Sequence, residues 1–321
     1  MGSLRRGYLY GVAAYTIWGF APLYFKLLDR AGAVEILAHR VIWSVVFMAV
    51  LVLLVIRQWG SLRRPGGGGA SQRDAGGVLR LRRPRALLGI AVAGALVAVN
   101  WGGFIYGVTT DRVVEVSLGY FINPLVTVLL GVLALRERLR RWQWVALGTG
   151  TVAVAVLTVD YGRLPWVALM VAGSFGLYGL VKKTMALPAA EGLLVETSFL
   201  SVPALAYLWW LAAQGTASFG TAGAGHTALL IGAGAVTSIP LLLFAGSANR
   251  IPLSVLGILQ YVGPTLQFLL GVLVFAEPMP PARWAGFGLV WAALVVFTAD
   301  MLRAARSRRA ATLAPPDLVR G

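Results

Sequence analysis

The chain has 321 residues, of which 58% are hydrophobic and 12% are charged, whereas ordinary soluble domains carry about 25% charged residues. A soluble protein of this composition would expose apolar patches over its surface and aggregate, so we expect lipid to be its solvent. The sequence has no cysteine and only two histidines, His39 and His226, which excludes disulfides, thiolate metal sites and multi-histidine metal sites.

The first half of the chain contains five apolar stretches of about 20 residues, the length that a helix needs to cross a lipid bilayer. They cover residues 8–28, 36–56, 86–108, 117–135 and 142–159. Between the second and third stretches, residues 57–85 hold eight arginines and a run of four glycines. No Lys-Ser/Thr pair follows these glycines, so they predict a flexible cytoplasmic loop and not a phosphate-binding loop.

The second half repeats this organisation, with apolar stretches at residues 165–181, 192–213, 227–248, 253–275 and 282–301. The predicted fold class is therefore all-α integral membrane, with ten transmembrane helices and a basic tail at residues 303–321. Ten spans place both termini on one side of the membrane, together with 22 of the 28 lysines and arginines. Because cytoplasmic loops are enriched in basic residues, we expect both termini to be cytoplasmic.

A shift of 140 positions aligns the middle of the chain with its end without gaps. The matched pairs include Phe104 with Phe244, Pro124 with Pro264, Glu137 with Glu277, Trp144 with Trp284 and Gly148 with Gly288. Chance similarity between apolar helices explains such matches poorly. We interpret residues 1–160 and 161–302 as two five-helix repeats, and because five is odd the second repeat must be inverted. Inverted repeats are typical of secondary transporters, whose substrate site lies between the halves near the membrane midplane.

Three stretches of the sequence resemble one transporter family. Residues 35–40 (Glu-Ile-Leu-Ala-His-Arg), 117–124 (Ser-Leu-Gly-Tyr-Phe-Ile-Asn-Pro) and 259–265 (Leu-Gln-Tyr-Val-Gly-Pro-Thr) are similar to the RarD group of the EamA family, in the drug/metabolite transporter superfamily. The resemblance implies a ten-helix fold of inverted five-helix repeats in the bacterial cytoplasmic (inner) membrane. Relatives in the superfamily export amino acids, other metabolites or drugs.

Ionisable residues inside membrane spans are costly, so each is a candidate for function. Glu35, His39 and Trp43 are four residues apart and share one face of the second span, with Arg40 beside them. In one interpretation, Arg40 contacts an anionic substrate while Glu35 or His39 handles a proton. In the other, a Glu35–Arg40 or Glu35–His39 pair only fixes the end of the helix. The two interpretations carry equal weight.

Polar residues also line the fourth and ninth spans. Tyr120, Asn123 and Thr127 share one helical face of the fourth span, and Gln260 and Gln267 occupy matching positions in the ninth. Such stripes suit the lining of a cavity, where amide and hydroxyl groups orient a ligand. We prefer this interpretation to the alternative of hydrogen bonding between helices alone.

Five further residues are candidates for shaping a substrate pathway. Pro124 and Pro264 each remove a backbone hydrogen bond and can kink their helices, which opens space for a substrate. Asn100 and Tyr178 are candidate lining residues. Glu196, at the cytoplasmic end of the seventh span, is interpreted either as an inner-gate carboxylate or as a group favoured by the helix dipole.

The leading functional hypothesis is a secondary transporter that exports a metabolite, amino acid or drug by alternating access, with proton coupling left open. The chain has no Walker motif, so we do not expect ATP hydrolysis. We expect no enzymatic activity, no cofactor and no metal; a membrane-embedded enzyme and a non-transporting sensor or scaffold are the alternatives. The expected partners are a small-molecule solute, the lipid bilayer and candidate coupling protons, without nucleic acid. A monomer suffices, and a dimer is left open.

Overall fold

The computed structural model describes residues 2–60, 84–136, 138–185 and 189–313. These residues form helices and no strand. The helices are α1 (Gly2–Lys26), α2 (Ala33–Gly60), α3 (Pro84–Thr109), α4 (Val113–Leu135), α5 (Arg141–Tyr161), α6 (Trp166–Met185), α7 (Ala189–Ala213), α8 (Ala224–Ala248), α9 (Leu253–Leu259), α10 (Val262–Leu269) and α11 (Pro281–Leu313), with a π-helical turn at Leu270–Val274.

Every apolar stretch in the sequence lies within a helical segment, to within two residues at its ends, but the ninth is not continuous. It is divided into α9, α10 and the π-helical turn, with a break at Gln260 and Tyr261. Pro264 is the third residue of α10, where its missing N–H breaks no intrahelical hydrogen bond. Pro124 lies inside α4, which continues without a break.

The predicted loop at residues 57–85 is shorter than expected, because α2 continues to Gly60 and α3 begins at Pro84. Residues 61–83, which hold the glycine run, lie outside the described residues. The basic tail begins as a continuation of α11 up to Leu313, and residues 314–321 lie outside the described residues.

Seven segments of the described chain are long and apolar enough to cross a membrane. They are Ala33–Leu51, Leu88–Thr109, Val113–Leu135, Arg141–Tyr161, Ala224–Ala248, Val255–Val274 and Pro281–Ala304. The sequence predicts ten such segments, and α1, α6 and α7 are the three that this set does not include. Of these three helices, α7 contributes a shorter apolar stretch, Ser198–Ala213.

Five helix connections meet at one end of the bundle, which we call the Glu277 end. They are the connections α1–α2, α3–α4, α5–α6, α7–α8 and the one that precedes α11. Four contacts join them: the Lys26–Asp111 ion pair, Arg163 with Glu115 at 2.7 Å, Arg30 Nη1 with the Ala222 carbonyl at 2.9 Å, and the Glu277 carboxylate with the Val113 N–H.

The opposite end, which we call the Arg140 end, holds the start of α1 and the remaining described connections. There the Ser247 hydroxyl donates to the Gly7 carbonyl at 2.8 Å, and Arg140 forms an ion pair with Asp300 at 2.6 Å. Successive long helices therefore run in opposite directions through the bundle.

The helices of the first and second halves of the chain are interleaved. Helices α1 and α2 both pack on α8, and in the same way α6 and α7 both pack on α3. Helix α1 contacts α10, and α6 contacts α4. Three further pairs cross between the halves, α2 with α7, α4 with α10, and α5 with α11.

The two larger of three apolar clusters form most of the core of this arrangement. Phe25, Ile36, Ile105 and Leu230 belong to the cluster between α1, α2, α3 and α8, and Phe287 belongs to the cluster between α4, α5, α6, α10 and α11. Many large apolar side chains also face outward, including Leu53, Val159, Val202, Trp209 and Leu273. An outer surface of this kind suits contact with lipid.

Candidate functional site

Arg40 on α2 is the most deeply buried cation of the candidate site, with 6% of its surface exposed. Its guanidinium carbon lies 4.2 Å from the centre of the Trp101 ring and 5.5 Å from that of Phe25. The Nε atom has no hydrogen-bond partner. Among the residues that the structure describes, no carboxylate forms an ion pair with Arg40.

Asn100 and Tyr120 lie beside this arginine. The Tyr120 hydroxyl donates to Asn100 Oδ1 at 3.5 Å, and the Asn100 amide donates to the Val171 carbonyl at 2.9 Å and to the Ser174 hydroxyl at 3.4 Å. Tyr120 lies close to Arg40. Tyr120 keeps accessible surface although α6 and α10 both pack against its helix. The structure thus brings together three predicted lining residues from α2, α3 and α4.

These groups share one depth in the bundle. Arg40 and Tyr120 are each seven residues into their helices, and Asn100 is nine residues before the end of α3. At a rise of 1.5 Å per residue, they lie about 10–14 Å from the Glu277 end. The cluster is therefore well inside the bundle and away from its rim.

Glu35 is bound to the connection between α7 and α8. Its Oε1 atom accepts hydrogen bonds from the Ser218 N–H at 2.7 Å and from the Ser218 hydroxyl at 2.9 Å. The Ser218 hydroxyl is also 3.1 Å from His226 Nε2. Neither the Glu35–Arg40 pair nor the Glu35–His39 pair considered for the helix end forms a direct contact, because the carboxylate turns toward Ser218.

His39 has no hydrogen-bond partner on either ring nitrogen. Its ring stacks on Phe219 at a centroid distance of 4.8 Å, and Trp43 stacks on the same ring at 6.2 Å. The indole Nε1 of Trp43 is also buried without a partner. Phe219 belongs to the α7–α8 connection, so these two side chains of α2 also face the second half of the chain.

Asn123 and Gln267 present two further free acceptors. Asn123 Oδ1 is buried without a partner, and so is Gln267 Oε1, whereas Gln267 Nε2 donates to the Trp18 carbonyl at 3.1 Å. The two residues lie on α4 and α10, which pack against each other. Gln260 occupies the break between α9 and α10 and is half-buried.

The described contacts join neither Tyr178 nor Glu196 to the group of Arg40, Asn100 and Tyr120, and the same holds for Glu35, His39, Asn123, Gln260 and Gln267. Tyr178 on α6 packs against Phe175, and the Lys182 ammonium lies 5.7 Å from its ring centre, toward the Arg140 end. Glu196 is a residue of α7, but its side chain lies outside the described residues, as does the whole of Glu137.

The unpartnered atoms are concentrated in a small group of residues. In the described part of the chain, buried side-chain polar atoms without a partner belong to His39, Arg40, Trp43, Arg112, Asn123 and Gln267. Leaving such an atom unpaired costs about 1–3 kcal/mol, so proteins rarely retain one without a reason. All but Arg112 lie on α2, α4 and α10. Asn123 and Gln267 are on the packed pair α4 and α10, and the other three are on α2.

The structure also reveals a charged pocket of about 250 Å³ at the Glu277 end. Its lining residues are Thr110, Asp111, Arg112, Glu115, Tyr161, Arg163, Glu277, Pro278 and Arg283. The Glu277 carboxylate caps the start of α4 by accepting from the N–H groups of Val113 and Val114. Burial raises the pKa of Glu277 to about 7. Arg112, with one unpartnered nitrogen, faces the rings of Tyr106 and Trp166.

Sequence reasoning did not identify this pocket or the binding of Glu35 to Ser218. Both are built from residues of connections that lie far apart in the chain, and periodicity within one helix carries no signal for such contacts. Trp101 and Ser174 were also missed. The signal for each was its position in the sequence: Trp101 directly follows Asn100, and Ser174 precedes the candidate Tyr178 by four residues.

Long apolar helices, an apolar outer surface and buried polar residues between helices define a multi-pass membrane protein. The sequence profile of the EamA-like transporter family matches residues 5–159. The chain is 52% identical over 306 residues to Protein RarD of Streptomyces exfoliatus, covering 95% of this chain and 92% of that protein.

Two other relatives agree with this match. Protein RarD of Escherichia coli (strain K12) is 42% identical over 93% of this chain and 95% of its own length. An uncharacterized transporter of Vibrio cholerae is 42% identical, covering 96% of each chain. The chain belongs to the RarD group of the EamA-like transporters, within the drug/metabolite transporter superfamily, as its sequence motifs predicted. It is a multi-pass bacterial membrane transporter.

Proposed function

We propose that this protein is a secondary permease that moves a small-molecule solute by alternating access, through two inverted five-helix repeats at residues 1–160 and 161–302. The observation that carries the proposal is the set of unpartnered buried polar atoms on α2 and α4 of the first repeat and α10 of the second. A solute bound between the repeats supplies the missing hydrogen bonds, and such internal sites are typical of inverted-repeat carriers.

The pattern of helix contacts supports the inverted repeat. If α1 to α3 correspond to α6 to α8, α4 to α10 and α5 to α11, the contacts of α1 and α2 with α8 exchange with those of α6 and α7 with α3. The α1–α10 and α4–α6 contacts exchange as well, and the pairs α2–α7, α4–α10 and α5–α11 map onto themselves, whereas the smaller α4–α11 contact has no counterpart of similar size. The family profile match at residues 5–159 covers the first proposed repeat.

Contacts between the two repeats seal the Glu277 end in this conformation. Glu35 of the first repeat binds Ser218 of the second, and Glu277 of the second repeat caps α4 of the first. In the proposed cycle these contacts break when the repeats rock apart, and the central site then opens toward the Glu277 end. Glu35, with its neighbour His39, is thus placed to combine gating with the handling of a proton.

We assign the residues of the central site as follows. Arg40, Asn100 and Tyr120 contact the solute from the first repeat, together with Asn123, and Gln267 contacts it from the second repeat. The break near Gln260 and Pro264, and Pro124 in α4, provide points at which the spans bend. Tyr178 and Glu196 belong to the pathway on the Arg140 side.

The proposed orientation has both termini in the cytoplasm of a bacterial cell and the Glu277 end outside. It rests on the basic residues, most of which lie on the side of the termini. Export is the proposed direction, by analogy with relatives in the superfamily. Both repeats are in one chain, so a monomer suffices for transport.

Untargeted analysis of the culture medium tests the proposal. Cells that produce the wild-type protein are compared with cells that produce the double variant Asn123→Leu/Gln267→Leu at equal membrane levels. We expect one or a few solutes to accumulate outside only with the wild type. Reconstituted vesicles then test whether a pH gradient changes the flux of those solutes. No difference in any solute contradicts a transport function.

A further inference from the structure

The positive charge of Arg40 in the central site is not balanced by any carboxylate of the described residues. Arg40 is buried in the first repeat with 6% exposure, and no described carboxylate pairs with it. Glu35, the acidic residue nearest to it in sequence, is turned to Ser218. Asn100 and Tyr120, its polar neighbours, are uncharged at neutral pH.

The aromatic rings around Arg40 compensate for only part of this burial. Trp101 lies at cation–π distance, and Phe25 is farther away. Such contacts are weaker than the cost of taking an ion out of water. A buried arginine of this kind is normally retained because a partner with the opposite charge reaches it. The described chain contains no such partner, so the partner comes from outside.

We propose that the transported solute is a small organic acid whose carboxylate binds the Arg40 guanidinium. This inference rests on the proposed transport function and specifies its substrate class. One carboxylate balances one arginine, and the planar guanidinium matches carboxylate geometry through paired hydrogen bonds. Phe25 and Trp101 face the arginine, and Phe104 packs on Phe25, so the apolar surface beside the guanidinium suits an acid that carries an apolar body.

The first test needs no knowledge of the solute. Replacing Arg40 with Met removes an unbalanced buried charge, so we expect Arg40→Met to raise the thermal midpoint of the purified, solute-free protein by about 2–4 °C. Arg283→Met is the matched control, because Arg283 is also largely buried but pairs with Asp160 at 2.8 Å. That variant should lower the midpoint. An equal loss of stability in both variants would overturn the inference, since Arg40 would then have a structural partner.

The second test determines the charge of the transported solute directly. Cells that produce the wild type, Arg40→Met or Arg40→Lys are compared by untargeted analysis of the medium at pH 7. We expect the solutes that depend on the wild type to carry a carboxylate, to disappear with Arg40→Met and to persist in part with Arg40→Lys. Wild-type-dependent solutes that are neutral, cationic or only phosphorylated would overturn the carboxylate assignment. If no solute depends on the wild type, the transport function itself fails, and the stability test alone decides whether Arg40 is unbalanced.

Discussion

Asp160 and Asp300 lie 140 positions apart in the sequence and hold opposite ends of the same helix pair, α5 and α11. Asp160 pairs with Arg283 at 2.8 Å at the Glu277 end, and Asp300 pairs with Arg140 at 2.6 Å at the Arg140 end. The separation equals the offset that aligns the two halves of the sequence. The two aspartates thus fit the proposed inverted repeat, although their arginine partners, Arg283 and Arg140, are not separated by the same offset.

The two pairs differ in burial, which gives a prediction about stability. The Arg283 side chain is 14% exposed and that of Arg140 is 40% exposed. We expect Asp160→Asn to lower the free energy of unfolding by about 1–3 kcal/mol because it leaves a buried arginine unpaired. Asp300→Asn should cost less than about 1 kcal/mol, since water screens the Arg140 charge.

Thermal unfolding in detergent at low and high salt measures this difference. Asp29→Asn, at an exposed aspartate in the α1–α2 connection, is the control and should change little. If all three variants lose the same stability, the two ion pairs do not hold the helix pair together.

The contact between Glu35 and Ser218 predicts a coupling between two distant positions. Glu35→Ala removes the acceptor of two hydrogen bonds in a buried site, and we expect it to cost about 2–3 kcal/mol. Ser218→Ala removes only the hydroxyl and should cost about 1 kcal/mol. Because both variants break the same hydroxyl contact, the double variant should cost less than the sum.

A double-mutant cycle of unfolding free energies measures this coupling. Glu35→Ala combined with Thr149→Ala is the matched control, because the Thr149 hydroxyl bonds only within its own helix. That combination should be additive. Additivity in both cycles contradicts a direct Glu35–Ser218 contact.

The raised pKa of Glu277 predicts that the stability of the protein depends on pH near neutrality. Burial raises its pKa from 4.5 to about 7, against the opposing effect of the N–H groups that it caps. Between these two values the folded protein keeps the proton and the unfolded chain has lost it. The folded state therefore binds more protons, and stability falls as the pH rises from about 4.5 to about 7.

Thermal midpoints of the wild type and Glu277→Gln, measured from pH 4.5 to 8, test this sign. We expect the wild type to lose stability relative to the variant across the window and the difference to level off above it. The glutamine keeps a carbonyl oxygen that accepts from the start of α4, so the variant retains a cap. If the thermal midpoints of the wild type and the variant change with pH in parallel, Glu277 does not titrate in this range.

Close packing of α2 on α8 makes Gly234 sensitive to substitution. A Cβ atom at this position would lie 2.3 Å from the backbone carbon of Trp43, so the helices would have to separate. We expect Gly234→Ala to cost about 1–3 kcal/mol through overpacking. Gly225→Ala, in the same helix with no neighbour within 4 Å, should be neutral or stabilising. Equal thermal midpoints of the two variants would contradict the close approach.

The sequence predicted the helices well because each apolar run has the length and composition that lipid demands, and this signal is local. It also brought Arg40, Asn100 and Tyr120 into one list of candidates, since polar residues in spans are rare. It did not predict the break at Gln260, because Pro264, four residues later, gave the only local signal and suggested a different position.

Contacts that involve the connections between helices could not be predicted from the sequence. Glu35 meets Ser218 across 183 positions, and no pattern within either segment names the other. The Asp160–Asp300 relationship, by contrast, had a signal in the sequence, because the two aspartates match at the repeat offset. Their arginine partners do not share that offset, so the ion pairs themselves required the structure.

Labelling of single cysteines tests most directly whether the two repeats are inverted, and the natural chain has no cysteine to interfere. Asp29→Cys follows α1, and Lys183→Cys lies at an exposed position at the end of α6, the proposed counterpart of α1. With a membrane-impermeant maleimide, we predict that Asp29→Cys reacts in intact cells and that Lys183→Cys reacts only after permeabilisation. Reaction of both cysteines from the same side would contradict the inverted arrangement and the carrier mechanism built on it.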